Sequence, residues 1–340
     1  MDQFWQGRRV LVTGANGFLA SWVIKDILTR GAHVASLVFA KNPFSIFEQE
    51  RLDERTETIY GDVLDFPLLK RVISKFQIQT VLHLGAQAIC LTAEEDPLST
   101  LDINIKGTYH VLEAVRQVSP STQVIVASSD KAYGTHENLP YREEYALHGE
   151  YPYEVSKTCA DLISTMYWHT YKLPVCVVRC GNFYGGGDAH FSRLIPATIK
   201  YAYQNKPPVL IGNDLRDYLY VEDVVRGYLL LAEKMAEGAL WGEAFNFGTE
   251  HPRPVVEVMQ TILRLMGKEY LIPQLSEKPR LGIPSQYLSS QKAKDLLGWE
   301  PLVSFEEGLQ RTIDWYTAYF NRTATLAIPA LTTMYHRDFI

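Results

Sequence analysis

The chain has 340 residues, an apolar share of 46%, a charged share of 21% and a formal net charge of -6. That length supports one large domain or two modest ones around a sizeable core, and the composition is that of an ordinary globular protein. The negative balance excludes a general attraction to nucleic acid or anionic membrane, so an anionic ligand must be held by local groups.

Met1 to Arg9 run straight into an apolar segment without a signal-peptide core, and no apolar run approaches spanning length, which predicts a cytoplasmic protein. Cys90, Cys159, Cys176 and Cys180 form no Cys-x-x-Cys pair and read as reduced residues in apolar surroundings, and no zinc or other metal site is expected.

Arg9-Val10-Leu11-Val12 predicts a first strand, followed by Thr13-Gly14-Ala15-Asn16-Gly17-Phe18-Leu19-Ala20 and a helix through about Thr29. Strand, glycine turn and helix in that order suit a dinucleotide: bare backbone admits the pyrophosphate, and the helix start offers N–H groups to it. Gly14, Asn16, Gly17, Phe18 and Leu19 are the candidate contacts. A second strand, from His33, ends in Phe39-Ala40-Lys41-Asn42 and lacks the acid that reads a ribose 2′-hydroxyl. Lys41 either faces a 2′-phosphate or is solvated, so NAD and NADP both stay open.

A third strand at Thr58-Ile59-Tyr60 leads to Gly61, Asp62 and Val63, where the carboxylate either approaches an adenosine or closes a turn. Thr80 to Gln87 predicts a fourth buried strand, and its end at Leu84, Gly85 and Ala86, with small residues, suits contact with a cofactor. A helix from about Pro97 to Val118 carries Asn104, expected to be a buried polar tie between helix and strand, while His83 and His110 read as satisfied core histidines.

Val124 to Ala127 is a fifth buried strand that breaks into Ser128-Ser129-Asp130-Lys131, and a helix begins at Tyr151-Pro152-Tyr153 and runs to about Tyr171. Tyr153 and Lys157 are four apart and share a helix face, so the ammonium is expected to lower the pKa of the phenol and make it a base near neutral pH. A sixth strand, Pro174 to Arg179, opens into the glycine loop Gly181 to Asp188.

This alternation predicts an α/β fold, a doubly wound parallel sheet with a smaller α/β substrate-binding lobe, and ligands at the sheet's C-terminal edge. The expected division is 1–182 with about 214–248 as the dinucleotide-binding domain, about 183–213 with 249–320 as the lobe, and 321–340 as a tail. Within the lobe, helices are expected near Leu194 to Gln204, Val255 to Met266, Ser290 to Leu297 and Phe305 to Phe320.

Thr13-Gly14-Ala15-Asn16-Gly17, Ser129, Tyr153 and Lys157 together resemble the extended short-chain dehydrogenase/reductase family over nearly the whole chain. Phe4-Trp5-Gln6-Gly7, Gly61-Asp62, Ala86-Gln87, Ser129-Asp130-Lys131, Gly181-Asn182, Gly185-Gly186-Gly187-Asp188 and Leu297-Gly298-Trp299 look like its nucleotide-sugar 4,6-dehydratase branch, nearest the CDP-glucose 4,6-dehydratases. The resemblance implies a Rossmann-type fold, bound NAD, a nucleoside-diphosphate sugar and a homodimer or higher homo-oligomer. It implies Tyr153 as base at the C4 hydroxyl, supported by Lys157 and Ser129, with Tyr153 and Lys157 also contacting the cofactor, Asp130 as acid for the C6 hydroxyl and Lys131 as base at C5. Gln87, Asn182, Arg193, Arg216 and Arg280 are the implied substrate contacts.

Four departures stand against this pattern. Ala20 replaces a third glycine, Phe39-Ala40 lacks the acid, Cys90-Leu91-Thr92-Ala93 replaces an Arg-containing stretch, and Arg216-Asp217-Tyr218 looks like the epimerase branch. A C4 epimerase needs the same Tyr, Lys and Ser but no elimination pair. A dinucleotide-sensing protein needs none of them. Asp130-Lys131 is either that elimination pair or a surface ion pair at a turn.

Overall fold

Neighbouring residues along each strand enter different cores, and this puts helices on both faces of the sheet. In β1 (Arg9–Thr13), Val10 and Val12 join one buried cluster while Leu11 joins the other. The remaining strands of the main sheet's first half are β2 (His33–Val38), β3 (Glu57–Tyr60), β4 (Thr80–His83), β5 (Gln123–Ala127) and β6 (Val175–Cys180). Short strands follow: β7 (Asn182–Tyr184), β8 (Val209–Leu210), β9 (Leu215–Arg216), β10 (Tyr218–Tyr220), β11 (Ala244–Phe247), β12 (Arg253–Pro254), β13 (Gln274–Leu275) and β14 (Ser285–Gln286). The computed structural model describes residues 2–276 and 282–325.

The main sheet has seven strands in the order β3-β2-β1-β4-β5-β6-β11, every pair parallel. This is the expected Rossmann-type order, and its direction reverses between β1 and β4. The turns after those two strands therefore face each other across the crevice.

The helices are α1 (Asp2–Trp5), α2 (Phe18–Thr29), α3 (Ile46–Gln49), α4 (Phe66–Lys75), α5 (Cys90–Glu95), α6 (Pro97–Leu101), α7 (Gly107–Val118), α8 (Pro152–Tyr171), α9 (Leu194–Tyr203), α10 (Val221–Met235), α11 (Val255–Leu265), α12 (Gln291–Leu297) and α13 (Phe305–Thr325). Leu19, Val23, Ile24 and Ile27 of α2 share a core with Val224, Tyr228 and Leu231 of α10. On the opposite face Leu69 and Val72 of α4 pack with Val111 and Val115 of α7 and Tyr167 of α8. Ala20, in place of the family's third glycine, is buried in the first of these cores, small enough for helix and strand to close.

Two helix expectations change. The single helix expected from Pro97 to Val118 is interrupted by a π turn at Asp102–Lys106, which carries Asn104. The last helix continues past Phe320 to Thr325.

Small sheets lie outside the main one. β9 pairs antiparallel with β12 and parallel with β14, and β8 pairs with β13. From α13, Trp315, Tyr316 and Tyr319 reach back over the loop after β2: the Phe44 and Tyr319 ring centroids are 4.1 Å apart. Trp315 lies so close over Gly186 that any Cβ there would fall 2.3 Å from the indole ring.

Candidate active site

The turn after β1 and the turn after β4 meet backbone to backbone. Gly14 has a φ of +66°, and a Cβ on it would lie 2.6 Å from Gly85 Cα, so both conformation and contact require glycine. Gly17 precedes α2 without a side-chain cap, leaving the first N–H groups of the helix, at Phe18 and Leu19, to other acceptors. Asn16 does not point into this opening. Its Nδ2 donates to Ala40 O at 2.9 Å and its Oδ1 accepts from Ser45, so it braces the loop after β2.

A hydrogen-bonded frame connects this turn to α8. Thr108 Oγ1 donates to Asn104 O at 2.6 Å, so its lone pair accepts from His83 Nε2 at 3.1 Å. His83 Nδ1 then accepts from Thr13 Oγ1 at 2.8 Å, and Thr13 Oγ1 in turn accepts from Gly85 N at 3.0 Å. Burial, and next the Lys157 charge, push the His83 pKa down to about 3, consistent with this neutral tautomer. Asn104 Nδ2 donates to Gln87 O and to Ser156 Oγ, each at 2.9 Å, and Ser156 Oγ donates to Tyr153 O at 2.7 Å. The expected polar tie at Asn104 is therefore found, and it reaches α8 as well as the loop after β4. His110 differs from expectation: it is only partly buried, and its Nδ1 has no hydrogen-bond partner.

Tyr153 and Lys157 are both buried at the start of α8, with Nζ 6.0 Å from the phenol ring centroid. Lys157 Nζ donates to Ala127 O at 2.9 Å, at the end of β5, which fixes the ammonium below the ring. The expected lowering of the phenol pKa is not found. Burial raises it, the Cys90 charge adds to the rise, and Ser129 and Arg193 offset only part. Helical spacing gave the neighbour correctly but carried no measure of desolvation, which here is the larger effect. Burial also lowers the Lys157 pKa, to about 8.

Ser129, Asp130 and Lys131 follow β5 as the start of a 3-10 turn. Ser129 Oγ accepts from Lys131 N at 3.2 Å and donates to Asp130 Oδ1 at 3.0 Å. Asp130 is 4% exposed, which rules out the surface ion pair. Its Oδ2 accepts from Gln286 Nε2, while Gln286 Oε1 accepts from Lys131 Nζ at 3.2 Å. Lys131 and Tyr153 line one cleft together with Cys90, Glu94, Tyr151 and Glu154. Cys90, Glu94 and Gln286 are the residues that sequence reasoning missed as site members. Only Cys90 carried a signal, as a departure from the family pattern; burial raises its thiol pKa.

The remaining candidates divide by what they touch. Arg193 caps α9 and pairs with Asp188 at 2.9 Å, and its charge acts on Tyr153, so it stands at the cleft. Asn182 Nδ2 donates to Asp217 O at 3.4 Å. Gln87 turns its side chain inward, with Nε2 donating to Ile89 O and Thr100 Oγ1, each at 3.0 Å. Asp62 Oδ1 accepts from Leu64 N at 2.9 Å, which is the turn-closing role, and the buried Val63 packs against Gly107. Leu84 packs against the α2 core, and Ala86 is partly buried just after Gly85. Arg216 does not present its fork to the cleft. It donates to Asp214, to Ile283 O at 2.5 Å, to Leu215 O at 2.9 Å and to Pro284 O at 3.0 Å, clamping the segment that carries β14. Arg280 lies outside the described residues.

A family model described as GDP-mannose 4,6 dehydratase matches residues 11–312. CDP-glucose 4,6-dehydratase of Salmonella typhimurium is 33% identical over 332 residues, spanning 93% of this chain and 92% of that protein. dTDP-glucose 4,6-dehydratase of Xanthomonas campestris pv. campestris is 30% identical over 331 residues, 90% of this chain and 92% of that one. Among solved structures, the NAD complex of dTDP-glucose 4,6-dehydratase from Bacillus anthracis superposes with a TM-score of 0.83 at 27% identity, covering 93% of this chain and 98% of its own. UDP-glucose 4-epimerase of Thermotoga maritima with UDP-glucose gives 0.84 at 27% identity, covering 92% and 99%.

Proposed function

Because the chain belongs to the GDP-mannose 4,6-dehydratase family, we propose that it removes water across C5 and C6 of the hexose in a nucleoside-diphosphate sugar, using bound NAD. The carrying observation is that Ser129, Tyr153 and Lys157 share their site with a buried carboxyl, Asp130, and an amine, Lys131. An epimerase needs the first three only.

The glycine cradle fits the dinucleotide. Gly14, Gly17 and Gly85 offer bare backbone, and Phe18 and Leu19 open the helix that faces the pyrophosphate. NAD, when bound, would supply a hydride acceptor for C4 and a hydride donor for C6, and its positively charged ring would favour the phenolate of Tyr153. That charge acts in the direction needed to offset burial at Tyr153.

Tyr153 takes the C4 hydroxyl proton while Ser129 fixes that oxygen, leaving a C4 ketone. The ketone acidifies the C5 hydrogen, and Lys131 removes it as a proton. The C6–O bond breaks as Asp130 donates its proton to the departing hydroxyl, so one water leaves and a C5–C6 double bond forms. A proton returned to C5 completes the 4-keto-6-deoxy product once C6 has been reduced. Arg193 faces the diphosphate, and the lobe of about 183–213 and 249–320 holds the nucleotide. Exposed Tyr109, Leu162 and Met166 on α7 and α8 form the self-association face of a cytoplasmic homodimer. No described helix is long and apolar enough to cross a membrane.

CDP-glucose, dTDP-glucose, UDP-glucose and GDP-mannose, each incubated with the protein and NAD, test the reading by mass spectrometry. A product lighter by one water with a ketone supports it. An isomer of unchanged mass from every active substrate replaces it with epimerisation.

A further inference from the structure

We infer that Gln286 is a positioning residue that orients the Asp130 carboxyl and the Lys131 amine for elimination, an inference that rests on the dehydratase reading. Elimination starts from a protonated acid and a neutral amine. A direct contact between adjacent Asp and Lys side chains favours the opposite states, carboxylate and ammonium, because each charge stabilises the other. Gln286 bridges the two instead. Its Nε2 donates to Asp130 Oδ2 and its Oε1 accepts from Lys131 Nζ at 3.2 Å, and no ion pair joins the two among the described residues. An amide stays neutral across the working pH range, so it orients both groups and takes a proton from neither. With one Lys131 N–H turned to the amide oxygen, the amine's lone pair is directed elsewhere.

The amide is fixed from both sides. Gln286 is 1% exposed. Its strand β14 runs parallel to β9, and the Arg216 fork grips the carbonyls of Ile283 and Pro284 just before it. Just after it, Tyr141 N donates to Tyr287 O at 2.9 Å, Ser289 N donates to Tyr141 O at 2.8 Å, and Leu288 is fully buried. Arg216 therefore acts on the site through the placement of Gln286.

Gln286→Met keeps the volume and removes both hydrogen bonds, and Gln286→Glu keeps the Lys131 contact while adding a charge that holds the ammonium. The expected kcat loss for Gln286→Met is at least about tenfold with KM within about twofold, the pattern of a lost interaction in the chemical step. Deuterium exchange at C5 of the 4-keto-6-deoxy product, followed by NMR in D2O, is expected to fall in the order wild type, Met, Glu. A folded Met variant with wild-type kcat and wild-type C5 exchange overturns the inference. If that variant does not fold, the Glu variant decides: exchange equal to wild type at neutral pH overturns it. Wild-type protein that neither dehydrates any sugar of the panel nor exchanges C5 sinks the dehydratase reading instead, which separates the two failures.

Discussion

The dinucleotide cradle and the elimination corner lie at the same edge of one sheet but are built in opposite ways. In the cradle, Gly14, Gly17 and the start of α2 are consecutive, and the one distant partner, Gly85, contributes only bare backbone. In the corner, Asp130 and Lys131 are adjacent, yet what sets their geometry is Gln286, 156 and 155 residues away. A site made of backbone shape is written in a few neighbouring residues; a site made of side-chain protonation depends on which strand another part of the chain delivers.

Tyr153 stands where the two regions meet, and its removal has the largest expected effect. Tyr153→Phe should lower turnover by about 10³-fold, within the range of a lost general base, while calorimetry shows unchanged NAD affinity. Retained turnover would move the base elsewhere and dissolve the comparison.

Lys157 comes next. Its folded pKa of about 8 lies below the unfolded 10.5, so between those values the unfolded chain binds more protons and stability rises with pH. Below about pH 8 the burial cost is present in full. The stability of wild type relative to Lys157→Met, from urea melts at pH 7.5 and near 10, should therefore grow by up to about 3 kcal/mol. A flat difference would mean that the ammonium is not desolvated at the seam.

Gly14→Val sharpens the cradle side. A branched residue at φ +66° against Gly85 should cost about 2 kcal/mol of stability and abolish dinucleotide binding by calorimetry. Binding that survives would show the cradle to be less dependent on backbone shape than the comparison holds.

The same contrast explains what was legible in the sequence. The parallel sheet, the glycine turn, the Ser129, Tyr153 and Lys157 set and the tie at Asn104 each rest on spacing within one or two elements, and periodicity reports those directly. Gln286 sits on a two-residue strand in a stretch without period, and nothing local distinguishes it from a solvated glutamine. Arg216 looked like a ligand-binding fork because charge is visible in sequence and the carbonyls that satisfy it are not. The sign of the Tyr153 shift was missed for a related reason: a neighbouring cation can be counted, whereas the depth of burial belongs to the folded state. Asp62 and Gln87 turned out to serve their own turns.

The aromatic clasp between α13 and the loop after β2 has a consequence for biosynthesis. Phe44 is among the early residues to leave the ribosome, and Trp315 and Tyr319 are among the late ones. The first half of the sheet can begin to form while translation continues, but the aromatic cover over the loop after β2 stays unfinished until the last long helix emerges. A truncated or stalled nascent chain thus carries every glycine of the nucleotide fingerprint and still presents an open, apolar flank to chaperones.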